Sequence, residues 1–483
     1  MSLSLAASIC EQFNRARVVK AWHHGACFFV DVVLGAEWEE SYLPLIEEQM
    51  KKVIERKKPF EELEMSVAGA SAFFSAQGQD LLLFQLPRQK NVLVQVLRYG
   101  KQAIPLVSST KDLANGEFFS LLAAREVGRY GQEAIYRIKG ILSSQRVKRN
   151  ELAFHAMQDL TQFVEELKLL KQAEEGWCYL PKGESARNFL IKSWQNALLQ
   201  ESFCFVSTPQ GLSEEEARSQ LVDLASFLKG EKGRDKIAQL SYVEHDQEIF
   251  DYGVLTPQRG FQDLFCIVVT EAKLFEAVIS SLQLMRQIPR IFSFKMQAIL
   301  YASQSSFESL LLQKALASEQ YAIEPSASSR VSFELRLVDE DGCSWSGPKL
   351  EIMRAKSLPG PWIVVGSLLG SWERFLALAA QKKKGLPFEL VEVQIRIFLL
   401  HADLQAYADE VREKLEEERL RVQINGQAVS LKERIHDAAR EGIPYIVVIG
   451  PKEKEGKTIS WRTLDSEEEK TTSVDEFVNK VKN

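Results

Sequence analysis

The last part of the chain constrains its fold most. From Val393 to Val481, short apolar runs alternate with amphipathic helical stretches. Val393–Leu399, Val422–Ile424, Tyr445–Ile449 and Lys457–Arg462 read as strands, and Leu404–Arg419, Leu431–Glu441 and Val474–Val481 as helices. Such alternation over roughly 95 residues specifies a small α/β domain with a largely parallel sheet, because parallel neighbours need a helical crossover. The run Gln381-Lys382-Lys383-Lys384-Gly385-Leu386-Pro387 before it is cationic and closed by Gly and Pro, as a linker is.

Upstream, the alternation is not strict. Strands are expected at Phe28–Leu34, Leu81–Leu86, Val92–Leu97, Phe203–Ser207, Phe265–Thr270, Val331–Val338 and Leu350–Met353. Helices are expected at Glu39–Lys57, Ala272–Leu284 and Ser306–Leu316. Ser144–Gln172 holds no Gly or Pro and spaces Leu160, Phe163, Val164, Leu167 and Leu170 at helical intervals, which reads as a long connecting helix. Strands and helices in this order favour an antiparallel α+β core over a Rossmann sheet. A chain of 483 residues has room for about three such domains.

Composition excludes several classes. With 45% hydrophobic residues there is ample apolar surface for cores, so dominant disorder is ruled out. No apolar run reaches the ~20 residues of a membrane helix, and Met1–Cys10 lacks the charged start of a secretory signal. Six dispersed cysteines without a CxxC argue against a zinc ribbon or disulfide scaffold and for a reducing compartment, the cytoplasm. The net charge of −6 advertises no global basic field.

The chemistry is sparse. The six histidines show no HxxxH or HExxH spacing; His23-His24 beside Cys27 is the nearest to a cluster, and ordinary loop residues account for it better than a metal does. There is no GxxxxGK[ST], GxGxxG or GxSxG. Gly366-Ser367-Leu368-Leu369-Gly370-Ser371-Trp372-Glu373-Arg374-Phe375 stands out. A glycine turn before a helix lets backbone N–H groups face an anion, and Arg374 just inside has the chemistry to grip a phosphate. Close packing at a helix start, with Arg374 on a carboxylate, explains the same residues.

These segments, in this order, resemble a class II aminoacyl-tRNA synthetase, specifically the threonyl-tRNA synthetases. Gly370-Ser371-x-Glu373-Arg374-Phe375 is similar to the third class II motif, whose arginine lies on the ATP phosphates. Leu386-Pro387, Val393-Gln394-Ile395, Tyr407-Ala408, Ile443-Pro444-Tyr445 and Gly450-x-Lys452-Glu453 resemble the family's anticodon-binding domain. Ser346-Gly347-Pro348-Lys349-Leu350-Glu351 resembles its "YGPKIE" strand, and Arg259-Gly260-Phe261-Gln262-Asp263 its "RGFTQDDAH". Glu184–Pro209 resembles the first motif, a dimer-forming helix and strand, and Phe28–Leu34 with the following helix the editing-associated domain. The implied organisation is an editing-like domain at 1–142, a connecting helix at 143–172, a class II antiparallel core at 173–386 and an α/β anticodon-binding-like domain at 387–483, without the ubiquitin-like domain that usually begins such enzymes.

The departures bear on function. The family holds a zinc with one Cys and two His. Its "NCPGH" has no counterpart between Pro209 and Tyr242, its "DDAH" histidine falls on Cys266, and its "HRAILGS" histidine falls on Val365, which has no lone pair to give. Zinc bound in that manner is not expected. The second motif, "HRNEPSG", reads Tyr242-Val243-Glu244-His245-Asp246, with acid where the arginine should stand. For ATP with Mg, the resemblance leaves Arg374, Glu373, Gly370 and Arg259. An HxxxH before the "FYYDVDL" strand is not matched by His23-His24, and "CRGPH" corresponds to Leu97-Arg98-Tyr99-Gly100-Lys101, with neither thiol nor imidazole, so deacylation is not expected.

For tRNA, the candidates are Arg434, Arg440, Lys452, Lys457 and Arg462, with Lys454 beside them. Glu389–Asn483 nevertheless holds 15 Lys+Arg against 20 Asp+Glu, and a solvated mixed surface explains these cations as well. The family's "NEKI" stretch reads Ala428-Val429-Ser430-Leu431. Tyr445 and Trp461 are stacking candidates that fit core packing better. Three readings stay open: a non-catalytic tRNA- or synthetase-associated protein; a working threonine–tRNA ligase with another cation, Arg234, Lys236 or Arg259, on the phosphate; and a structural partner that pairs with itself or with a genuine synthetase through Glu184–Pro209.

Overall fold

A computed structural model of the chain describes residues 1–24, 26–56, 61–86, 93–99, 102–105, 118–143, 159–174, 176–228, 235–245, 249–302, 306–319, 321, 323–327, 331–354, 361–425, 430–464, 466 and 468–482. These form two compact units, one of Met1–Cys178 with Ser193–Gly385, the other of Tyr179–Lys192 with Leu386–Asn483.

The first unit begins with α1 (Ser2–Gln12), β1 (Arg17–His24), β2 (Cys27–Val33), α2 (Tyr42–Glu55), β3 (Glu61–Ser66), α3 (Val67–Ala76), β4 (Leu93–Tyr99), β5 (Gln102–Pro105), β6 (Phe118–Tyr130) and β7 (Glu133–Ser143). An antiparallel sheet of order β1-β2-β7-β6 and a smaller β3-β4-β5 sheet result. Alternate residues of β2 point to opposite faces. Phe28, Val30 and Val32 join a core with Leu5, Ile9, Ile46 and Met50 from α1 and α2.

Asp31, fully buried, faces the other way. It takes two hydrogen bonds from Arg137, at 2.9 and 3.1 Å, and one from the Tyr252 hydroxyl at 3.0 Å, with Lys20 at 3.6 Å. Arg137 and Lys139 reach on to Asp341, at 3.4 and 3.3 Å. The Lys20 ammonium lies 5.0, 4.8 and 5.0 Å from the ring centres of Trp22, Tyr252 and Trp345. Burial alone would raise the Asp31 carboxyl, but Arg137 and Lys20 outweigh it and hold it below its ordinary value.

Two expectations fail here. Leu81–Leu86 is no strand: Asp80–Gln85 winds as a 3-10 helix, with Leu81 and Leu82 buried. The connecting helix is described only as α4 (Leu160–Glu166), residues 144–158 lying outside the described ones. It ends because Lys168 adopts a left-handed φ of 55°, and β8 (Leu170–Ala173) and β9 (Gly176–Tyr179) follow.

Helix α5 (Pro181–Gln200) belongs to the second unit as far as Lys192 and to the first from Ser193; the first unit's core continues through β10 (Cys204–Phe205), β11 (Leu212–Ser213), α6 (Glu214–Leu228), β12 (Lys236–Glu244), β13 (Arg259–Val269), α7 (Glu271–Ile291), β14 (Lys295–Ala302) and α8 (Phe307–Ser318). It closes with β15 (Ile323–Ala327), β16 (Ser332–Val338), β17 (Ser344–Trp345), β18 (Lys349–Arg354), β19 (Trp362–Gly366) and α9 (Trp372–Lys383). The sheet runs β10-β12-β13-β19-β18-β16-β14-β15, with β11 beside β12 and β17 beside β16. From β12 to β14 every neighbour is antiparallel, as expected.

The second unit holds β20 (Ile395–Leu399), α10 (Gln405–Glu417), β21 (Val422–Asn425), α11 (Leu431–Glu441), β22 (Tyr445–Ile449), α12 (Pro451–Gly456), β23 (Ile459–Thr463), β24 (Lys470–Thr472) and α13 (Val474–Lys482). Its sheet, β21-β20-β22-β23-β24, is parallel across the first three strands and antiparallel across the last three. A capping box of Ser430 and Glu433 starts α11, and Gly442 at φ 77° ends it.

Candidate functional site

Register decides which residues share a face of the large sheet. Ile237, Cys266, Val365 and Glu351 form one row across β12, β13, β19 and β18, and Ser241 pairs with Gln262 two steps along. Helix α6 lies over this row. Its Ala217, Leu221 and Ala225 pack with Ile237, Val243, Leu264, Cys266, Val268 and Ile363. Burial there pushes the Cys266 thiol up to about 12.

The first turn of α6 adds charge. Glu214 is buried, accepts Gln262 Nε2 at 3.0 Å, and lies 3.6 Å from His245 Nδ1, 3.5 Å from Arg218 and 4.0 Å from Lys349. Burial would raise its carboxyl, but His245, Lys349 and Gln262 together hold it far below the usual range. Arg218 also donates to both carboxylate oxygens of Glu351 at 3.1 Å.

The glycine turn is engaged as well. The backbone N–H groups of Leu368, Leu369 and Gly370 converge on the buried carboxylate of Asp263, at 2.5, 3.0 and 3.2 Å, and Trp194 Nε1 joins them at 3.1 Å. An internal anion thus fills the place expected to face a phosphate. Burial raises the Asp263 carboxyl, and these donors pull against it.

Gly370 sits at φ 75°, and a Cβ there would lie 2.9 Å from the Gly347 carbonyl oxygen, so both conformation and space require glycine. Glu373 is buried; it accepts from the Phe261 N–H at 3.0 Å and the Ser371 hydroxyl at 3.2 Å. Arg374 is 8% exposed and donates to the carbonyls of Leu255 and Ser346. These bonds are local supports within the fold.

Arg259 and Glu244 are cross-strand partners, 3.8 Å apart. The acid in place of the second-motif arginine therefore sits beside Arg259, one of the three cations expected nearby. Lys236, at the far end of β12, donates to the Glu201 carbonyl at 3.0 Å. Arg234 and Asp246 lie outside the described residues.

In the N-terminal part, α1 precedes β1 and β2 and carries Ser4 and Ser8, both buried, with no histidine. His24 pairs with Cys27 across β1 and β2. Arg98 is ion-paired with Glu61; Gly100 and Lys101 lie outside the described residues.

In the second unit the proposed tRNA cations separate. Arg434 is buried and donates to the carbonyls of Leu399 at 2.9 Å and Asn425 at 3.5 Å, so it braces two strand ends and is no surface cation. Lys452, Lys454 and Lys457 are exposed on and just after α12, beyond the C-terminal end of β22. Arg440 closes α11 and pairs with Asp437 at 3.8 Å, while Arg462 lies opposite Ile446 near the start of β22, at the other end. Tyr445 and Trp461 are core: their rings pack with Phe477 at 5.5 and 5.2 Å. Glu453 accepts the Gly450 N–H at 2.8 Å and the Ser460 hydroxyl at 2.9 Å. Ala428 and Val429 lie outside the described residues.

Residues 394–483 match the family model described as "Anticodon binding domain". A threonine–tRNA ligase of Sulfurihydrogenibium sp. is 23% identical over 544 aligned positions, covering 95% of this chain and 83% of the relative. One of Dehalococcoides mccartyi is 23% identical, covering 95% and 91%. The chain is a threonyl-tRNA synthetase homologue. The structure of the RNA binding domain of threonyl-tRNA synthetase from Cryptosporidium parvum Iowa II superposes with a TM-score of 0.54 at 16% identity, covering 68% of this chain and 98% of that one, which supports the fold.

Against that family, the zinc position does not fit a metal. Cys266 and Val365 are neighbours across β13 and β19, as two ligands of one ion would have to be, but valine offers no donor and the apolar side of α6 covers the cysteine. No group of three His, Cys, Asp or Glu suited to a metal occurs among the described residues. Sequence reasoning missed α6 and Asp263. The Gln262-Asp263 pair was visible, but nothing local shows that Asp263 reaches a turn more than 100 residues away.

Proposed function

We propose that this threonyl-tRNA synthetase homologue is non-catalytic and acts by binding tRNA. What supports the reading is that the chain itself covers the sheet face where the resemblance puts the substrates. Helix α6 lies on the row where the resemblance puts the zinc, Asp263 takes the N–H groups of the third-motif turn, and Arg374 is spent on two carbonyls. A transition state of adenylate formation needs cations aimed at developing charge. Glu244 beside Arg259 works against that. The alternative, an active zinc-free threonine–tRNA ligase, needs ATP with Mg in a pocket whose expected phosphate contacts are already committed.

The tRNA part of the reading is supported by the anticodon-binding match and by Lys452, Lys454 and Lys457 at one end of the sheet. Phosphate neutralisation dominates such affinity and falls with salt. Binding to unfractionated tRNA is expected to weaken as salt rises. Replacing Lys452, Lys454 and Lys457 by Ala is expected to reduce the slope of log K against log salt by about 1 for each lysine on a phosphate. Arg440→Ala, at the opposite end, leaves it unchanged. Absence of salt-dependent binding at low ionic strength overturns the tRNA assignment and leaves association with a synthetase. For that second reading, the half-exposed Leu199 and Phe205 in the Glu184–Pro209 region are the apolar surface to test.

A further inference from the structure

We propose that the N-terminal part and the antiparallel core act as one cooperative body, joined by a charge-matched interface that closes the second face of the N-terminal sheet. The register of that sheet sets up the surface. Trp22, Phe29 and Lys139 form one row across β1, β2 and β7, and Lys20, Asp31 and Arg137 form the next. Helices α1 and α2 cover the opposite face, so both rows look away from them. Trp22 and Phe29 stack at 5.0 Å, with Arg137 4.9 Å from the Trp22 ring centre and Lys139 5.4 Å from that of Phe29. The two rows carry three cations and one carboxylate, an excess of two positive charges. Stacked rings among cations are what single-stranded nucleic acids bind. In this chain the core takes that place.

The core brings carboxylates and rings to meet them. Asp341 lies against both Arg137 and Lys139, and its carbonyl accepts the Trp22 indole N–H at 3.1 Å. Tyr252 and Trp345 meet edge to face at 5.3 Å and, with Trp22, enclose the Lys20 ammonium. Asp339 is buried and orders the turn: it accepts the N–H groups of Asp341 and Cys343 and the Trp345 indole N–H, at 2.9, 2.8 and 2.8 Å. Positive excess on one side meets negative on the other, which fixes the register of the two faces. Shape adds to charge. Gly342 sits at φ 78°, and a Cβ there would lie 2.4 Å from the Cβ of His24, so a side chain would push the β1–β2 hairpin off the turn. A second seam lies on β6. Arg129 and Asp251 exchange backbone hydrogen bonds at 2.7 and 2.9 Å, and Phe250 packs with Phe84 and Tyr130 at 5.8 and 5.9 Å. With two seams on different strands, a swing about either one is blocked by the other.

Hydrogen exchange of the intact chain, followed amide by amide in rising urea, tests this. The amides of β2 and β7 are expected to merge with those of β13 and β16 into one unfolding isotherm. Gly342→Ala, which alters only a turn of the core, is expected to speed exchange in β2 and β7 at least ~10-fold, together with β13 and β16. Lys20→Met, on the N-terminal side, is expected to speed exchange in β16 and β18 as well as in β2. If β2 and β7 follow an isotherm of their own, or if Gly342→Ala reaches the core strands alone, the two parts are independent and the proposal is wrong. The first measurement needs no variant, so it decides even where a substitution prevents folding. Exchange is read without tRNA or ATP, so the outcome is separate from the tRNA-binding and non-catalytic readings.

Discussion

Arg137→Met is expected to destabilise the protein by about 3–5 kcal/mol, because it leaves Asp31 and Asp341 buried without their guanidinium. Urea unfolding at pH 7 measures this directly. The pH dependence carries a sign. With its folded pKa depressed, Asp31 contributes stability that is complete above the unfolded value of about 4 and is lost as pH falls through the lower folded value. In the variant Asp31 keeps Lys20 and the Tyr252 hydroxyl but loses the guanidinium, so its folded pKa rises relative to the wild type and less of this stabilisation remains. The deficit is therefore largest at neutral pH and shrinks towards pH 4. A deficit below ~1 kcal/mol at pH 7, the range of an exposed pair, would show that the cluster is solvated.

Asp263→Ala is expected to cost about as much, roughly 3–5 kcal/mol, by stranding three backbone N–H groups and the Trp194 indole N–H at about 1–3 kcal/mol for each buried donor, partly relieved by relaxation. Asp263→Asn keeps an acceptor oxygen and is expected to lose less than half of that. If the two substitutions cost the same, the charge rather than the acceptor geometry holds the turn. If neither destabilises, the Leu368–Gly370 turn does not depend on Asp263, and an exogenous anion has room there after all.

The parts of the fold legible in the sequence are those where periodicity is local and strong. The C-terminal alternation placed its strands and helices because each has an apolar face of its own, as in Ile395, Ile397 and Leu399 on one side of β20. Cys266 and Val365 also came out as neighbours, because a sheet register carries alignment positions into space. The failures share a cause. Leu81–Leu86 is apolar enough for a strand, but a six-residue run does not distinguish a strand from a buried 3-10 turn. Lys168 ends α4 by adopting a conformation that no residue type there advertises. Helix α6 has no counterpart among the sequence expectations, in which the stretch between Pro209 and Tyr242 stands out only for lacking the "NCPGH" segment. Arg434 looked like a surface cation, yet it is buried against strand-end carbonyls. A long side chain's role depends on which carbonyls lie within its reach.

The central claim is that the substrate face is occupied by the chain itself and performs no adenylation. ATP–pyrophosphate exchange on the purified, folded protein tests it most directly, with threonine, serine and then a full amino-acid mixture, beside an active synthetase as control. Losing a single preorganised donor to a transition state costs about 10²–10³ in rate, and on the proposed reading both the second-motif cation and the third-motif turn are lost to ATP. The expected result is therefore no amino-acid-dependent exchange above background. Exchange with any one amino acid, abolished by Arg374→Ala, would contradict the account and show that Arg374 leaves its carbonyls to serve ATP.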